Sequence, residues 1–161
     1  MQRLLWTLLR FSLCAWIGGA SLFVITGVRA VTSDLFEPAT KNQLAALRFP
    51  AFYLFGFCLV GAGTLAACLL SLTSKECRRR VVTVLILACA VLVTMVADYI
   101  WIYTPLAELM ALPEARSRPE FISGHTLSKW INMASLSVCF VAALISLGEC
   151  QKSGQGNASN D

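Results

Sequence analysis

The chain has little charge and almost no histidine. Of its 161 residues only 14% are Asp, Glu, Lys or Arg, and His125 is the sole histidine, whereas about 25% of an ordinary soluble domain is charged. Seven cysteines, an odd number without a Cys-x-x-Cys pair, indicate neither a disulfide framework nor a zinc site. A formal charge of +4 is too small and too local to address nucleic acid, so none is expected as a partner. No nucleophile stands beside a base in a water-exposed motif, which leaves hydrolase chemistry unsupported and no enzymatic activity expected. What the chain has in excess is apolar surface. Hydrophobic residues make up 57% of it, against about 45–50% in soluble domains, and that surplus needs lipid as its solvent. The expected fold class is all-α, one domain of four transmembrane helices at about 20 residues per span, with the lipid bilayer as its first partner.

In chain order, Arg3 and Arg10 precede an apolar run that predicts a first span over about 11–31. The run exceeds the 7–15 residues of a signal-peptide core, so an uncleaved helix is expected, a cleaved signal being the alternative. Ala15, Gly18, Gly19, Ser21 and Gly27 offer places for close helix approach. Residues 32–48 are polar, and 39–47 predicts a short helix lying on the membrane surface with Leu44 and Leu47 in the interface. Phe49-Pro50-Ala51-Phe52-Tyr53 opens the second span (49–72), with proline in its first turn and aromatics at headgroup level. The cluster Ser74-Lys75-Glu76-Cys77-Arg78-Arg79-Arg80 reads as a cytoplasmic loop under the positive-inside rule. Four spans then put both termini in the cytoplasm of a cell (inner) membrane protein.

The third span covers 81–103 and is aliphatic until Asp98, after which Tyr99, Trp101 and Tyr103 form an aromatic belt. An external loop with a short helix around 106–112 leads to the fourth span (122–147), and residues 149–161 are a polar tail of disordered composition. Cys14, Cys58, Cys68, Cys89 and Cys139 fall within apolar runs, where free cysteine acts as a small hydrophobe. Cys77 and Cys150 flank helix ends and are candidates for acylation. Asn157-Ala158-Ser159 matches a glycosylation sequon that a cytoplasmic tail keeps from the machinery.

Phe121, His125, Ser128, Asn132, Ser135 and Cys139 fall within an arc of roughly 80° on a helix at about 100° per residue. They form one polar stripe on an otherwise apolar element. Asp98 is a carboxylate inside a span, where an ionised acid costs roughly 2.5–3.5 kcal/mol on insertion scales. At 1.5 Å per residue it lies about 7 Å below the outer end of its helix, and His125 about 6 Å below the end of its own. Arg29 closes the first helix near that level. Two readings stand open. In one, Asp98 pairs with Arg29 or Lys129, while His125, Ser128 and Asn132 make interhelical hydrogen bonds that set register. In the other, Asp98 and His125 line a polar cavity open to the outside, with Ser128 and Asn132 orienting a ligand, an ion or a proton. No cofactor or metal is expected. One histidine is poor material for either, and haem ligation through His125 is the least favoured reading because no second histidine exists.

Three blocks carry a family resemblance: Trp16 with Phe23-Val24-Ile25-Thr26-Gly27, then Phe49-Pro50-Ala51-Phe52-Tyr53, then Phe121-x-x-x-His125-x-Leu127-Ser128-x-x-x-Asn132. In these the chain resembles the small membrane-protein family of unassigned function that includes transmembrane protein 205 of animals. The blocks reach across nearly all four spans in order. The resemblance implies a four-span fold and a shared role for His125, Ser128 and Asn132. It departs around Asp98 to Trp101, where some members carry an asparagine and an arginine, and in lacking a proline late in the first helix. The function expected is binding or passing a small solute or ion at the outer polar site. The alternative is a structural or assembly subunit, with a second copy or a larger membrane complex as partner.

Overall fold

The computed structural model describes residues 1–74, 77–110 and 118–148. Its elements are α1 (Gln2–Thr32), α2 (Pro38–Thr73), α3 (Arg78–Asp98), a π-helical turn (Tyr99–Tyr103), α4 (Thr104–Met110) and α5 (Pro119–Leu147). The helices α1, α2, the continuous run from α3 through α4, and α5 are each long and apolar enough to cross a membrane. The protein is an all-α, multi-pass integral membrane protein built on a four-helix bundle.

The packing follows from a repeat of three and four residues. In α3 the buried positions are Val81, Val84, Ala88, Val91, Met95 and Asp98, and α2 buries Tyr53, Gly56, Val60, Gly63, Ala67 and Leu70 at the same steps. Alternating steps of three and four keep one face turned to neighbours that cross at about 20°. Each of α1 and α3 packs against both α2 and α5, which closes the four spans into a square. Leu54, Leu65, Ile86 and Val93 are more than 60% exposed on the opposite faces, as expected where lipid replaces water.

Small residues set the closest approach. A Cβ on Gly56 would stand 2.7 Å from the Trp16 ring and run into the Met95 methyl, so α1 and α3 both reach over α2 at a point that only glycine leaves open. Toward one end of the bundle, Trp16 and Phe23 of α1, Phe49, Phe52 and Tyr53 of α2, and Tyr99 and Tyr103 of the π turn form a continuous aromatic lattice. Phe23 stacks on Phe52 at 4.3 Å and Tyr53 meets Tyr103 at 4.9 Å between ring centroids. Arg48 fastens α1 to α2 beside it, donating to the Phe23 carbonyl at 3.1 Å and to Thr26 Oγ1 while lying 4.9 Å over the Phe23 ring.

Several boundaries differ from those expected. The segment 39–47 is not a separate surface helix: α2 runs unbroken from Pro38 to Thr73, and Pro50 lies inside it. Proline forfeits one backbone hydrogen bond, but at the exposed end of a span neighbouring groups can satisfy the freed carbonyl, so the helix continues. The first helix begins at Gln2 rather than near Phe11. The run after Asp98 is a π turn in which both the Thr104 N–H and its hydroxyl return to the Tyr99 carbonyl, the latter at 2.9 Å. Cys77 is disulfide-bonded, contrary to the expectation of no disulfide, so it has no thiol to acylate. Cys14, Cys58, Cys68, Cys89 and Cys139 are free. Cys150, the sequon at Asn157 and the 149–161 tail lie outside the described residues, as does 111–112 at the end of the short helix expected after the third span.

Candidate functional site

Asp98 is the last residue of α3 and occupies a core position of its three-and-four repeat, so the backbone register aims its carboxylate inward between α2 and α5. It is 2% exposed. Its Oδ2 accepts three hydrogen bonds: from the Tyr53 hydroxyl at 2.6 Å, from Asn132 Nδ2 at 2.9 Å and from the Ser128 hydroxyl at 3.2 Å. The donors come from two other helices. Its Oδ1 is equally buried and has no hydrogen-bond donor. The carboxylate is therefore held firmly through one oxygen and left uncompensated at the other, in a setting where an unpaired polar atom is costly.

The α5 side of the site is prearranged by its own helix. Asn132 Nδ2 also reaches the Ser128 carbonyl at 2.9 Å and the Ser128 hydroxyl at 3.2 Å, contacts made possible because residues four apart lie one above the other on a helix. Ser128 and Asn132 thus act as one unit whose donors converge on Asp98. The stripe continues inward at steps of three and four through Ser135, Cys139, Ala142 and Ser146, all buried. It is the face that α5 turns to the bundle.

Of the five residues singled out in the sequence, the structure brings Asp98, Ser128 and Asn132 together. His125 lies on the same stripe but where α5 is exposed, stacked on Phe121 with ring centroids 6.0 Å apart and planes 7° from parallel. It is not among the donors to Asp98. Arg29 is exposed near the end of α1, and neither it nor Lys129 donates to the carboxylate. Among the described residues, neutral hydrogen bonds from Tyr53, Ser128 and Asn132 take the place of charge pairing at Asp98.

Tyr53 is the partner that sequence reasoning missed. Its place beside Phe52 and Phe49 suggests an interfacial aromatic, yet it is only 3% exposed. The signal was available in its spacing from Gly56, Val60 and Gly63, which marks the small-residue face of α2. The π turn completes the surroundings: Tyr99 and Tyr103 stack at 5.4 Å and both meet the Tyr53 ring, at 5.1 and 4.9 Å. Such turns recur where a helix must present side chains off its regular register.

Among the described residues no three His, Cys, Asp or Glu side chains gather as a metal-binding group. The two hydroxyls and the amide N–H all donate to Oδ2, so what the site offers is the single oxygen Oδ1, which can take up a proton or meet one small cation but does not supply the several acidic ligands that Ca²⁺ takes. Beside this site, on the far side of the π turn, a groove of about 380 Å³ runs between Trp101, Pro105 and Leu106 on one wall and Glu120, Gly124 and Leu127 on the other. It is apolar apart from Glu120 and Ser123. No family model matches the chain, and neither a curated protein nor a solved structure is similar to it at a significant level.

Proposed function

We propose that this membrane protein binds or passes a small cation, a proton or a monovalent ion, at Asp98, in the half of the bundle that faces away from the cytoplasm. The observation that carries the reading is the buried Oδ1, an acid oxygen without a donor in a lipid-embedded segment. Structural glue has no use for such an atom, and a membrane-embedded ionisable group is costly enough to imply a role. Tyr53, Ser128 and Asn132 hold the carboxylate by its other oxygen and fix its direction. His125, one turn outward on the same stripe, serves as relay or ligand at the mouth. The orientation rests on the arginines of 78–80, and the same proposal includes a cell-membrane location and membership of the family resembled through Phe121, His125, Leu127, Ser128 and Asn132.

The test is Asp98→Asn, which keeps the shape and an acceptor oxygen but removes the charge. Wild-type protein in liposomes is expected to conduct or exchange protons, Na⁺, K⁺ or ammonium, and the variant to lose that while retaining its helical spectrum. Wild-type protein inert to all four would refute the proposal. A second reading, a structural or assembly subunit, is favoured by the fact that Asp98 ties α2, α3 and α5 through a single oxygen. On that reading there is no flux to lose, Asp98→Asn weakens the bundle, and Asn132→Ala costs folding and releases co-purifying partners.

A further inference from the structure

The opposite end of the bundle concentrates positive charge that no acid among the described residues pairs with. Arg10 of α1 donates through Nε to the Ser146 carbonyl at 3.0 Å, and Arg80 of α3 donates to the same oxygen at 3.2 Å. Both guanidinium groups also face the Trp6 ring, at 5.3 and 5.0 Å from its centroid. Two full positive charges are thus held together by one carbonyl near the C-terminus of α5, where the helix dipole supplies only about half a negative charge. The Arg80 Nε is buried and has no hydrogen-bond partner. Neither arginine has an ion pair among the described residues.

The surroundings add to the imbalance. Both α1 and α3 begin at this end with arginine in the first turn and no acidic residue there, so their positive dipole ends reinforce the field. Arg3, Trp6 and Arg10 recur at steps of three and four, on one face of α1. Leu4, at 72% exposed, and Phe11, at 64%, stand beside them on the lipid-facing surface. An oxyanion arriving here would meet guanidinium donors in a fork geometry suited to phosphate, an aromatic ring of the kind that sits at headgroup level, and apolar side chains for attached acyl chains.

We propose that Arg10 and Arg80, over Trp6, seat the phosphate of an anionic phospholipid headgroup. The seat lies at the far end of the bundle from Asp98 and does not depend on the role of that residue. The apolar neighbours select a lipid over free phosphate, because only a lipid fills both the charged and the apolar parts of the surface. The lipid also supplies the counter-charge that lets two arginines share one carbonyl.

Native mass spectrometry of the full chain in detergent, titrated with phosphatidylglycerol or phosphatidylcholine of matched chains, tests the proposal. Wild-type protein should retain phosphatidylglycerol in preference, and that preference should fall by about fivefold for each of Arg10→Gln and Arg80→Gln. Arg79→Gln removes the same single charge outside the seat and should leave most of the preference. If Arg80→Gln fails to fold, Arg80→Lys retains the charge but not the fork, and should still reduce the preference. Equal retention of the two lipids by wild type would overturn the proposal, and so would an equal loss in the Arg79→Gln variant. Stabilisation by millimolar inorganic phosphate with no lipid preference would also overturn it, assigning the site to a free anion.

Discussion

Replacing Tyr53 by phenylalanine removes one hydroxyl from the Asp98 junction and leaves the ring in its aromatic lattice. The hydrogen bond lost is the shortest of the three on Oδ2, at 2.6 Å, and it is buried. In water-soluble proteins a hydrogen bond to a charged group contributes about 1.5–3 kcal/mol. Between membrane helices the measured average is only about 0.6, with a maximum of about 1.7 kcal/mol, because the unfolded chain in lipid also finds partners. Ser128 and Asn132 remain on Oδ2 in the variant, so the carboxylate is not stripped of donors, and no cavity opens. The expected destabilisation is therefore about 1 kcal/mol, above the membrane average because the acceptor is an acid. Equilibrium unfolding of the reconstituted protein by steric trapping measures it, and a cycle with Asp98→Asn isolates the pairwise part. Tyr53→Phe should cost clearly less in the Asp98→Asn background, where an amide oxygen replaces a carboxylate as acceptor. A change below about 0.3 kcal/mol, or an equal cost in both backgrounds, would show that the hydroxyl and the carboxylate are not coupled as the geometry requires.

Gly56→Ala should destabilise the bundle by about 1–3 kcal/mol through overpacking against Trp16 and Met95, whereas Gly61→Ala, whose Cβ meets nothing within 4 Å, should be neutral or mildly stabilising; thermal melts of the two side by side decide it. Arg48→Ala removes two donated hydrogen bonds and a guanidinium over Phe23, an expected loss of about 1 kcal/mol that should appear as faster amide exchange in the last two turns of α1 and not in α5. His125→Ala should lower any cation flux that Asp98 supports while leaving the helical spectrum intact. A large loss of stability in that variant would place His125 in the packing instead.

Much of the architecture could be read from local pattern. Hydropathy located four spans because a backbone in lipid must satisfy itself within each helix, and the phase of the α5 stripe correctly marked the face that turns inward. The same reasoning grouped His125, Arg29, Ser128 and Asn132 with Asp98, of which the structure joins Ser128 and Asn132 to the acid and not His125 or Arg29. It failed at Pro50 and at Tyr53 for related reasons. The aromatic and proline cluster was read as a boundary from its composition, but the helix is continuous there and its register, not its composition, buries Tyr53.

The sequence by itself determined that the chain has the character of a membrane protein, how many helices can cross, and which face of α5 turns inward, because all three depend on residues within a few turns of each other. Only the tertiary structure decided what each buried polar group meets. Tyr53 and Asp98 are 45 residues apart, and Arg10 and Ser146 are 136 apart. Such pairs depend on the relative height and rotation of packed helices, which the sum of many small side-chain contacts sets. That is why the acid finds a tyrosine rather than the arginine expected from its depth, and why two arginines converge on the last turn of α5.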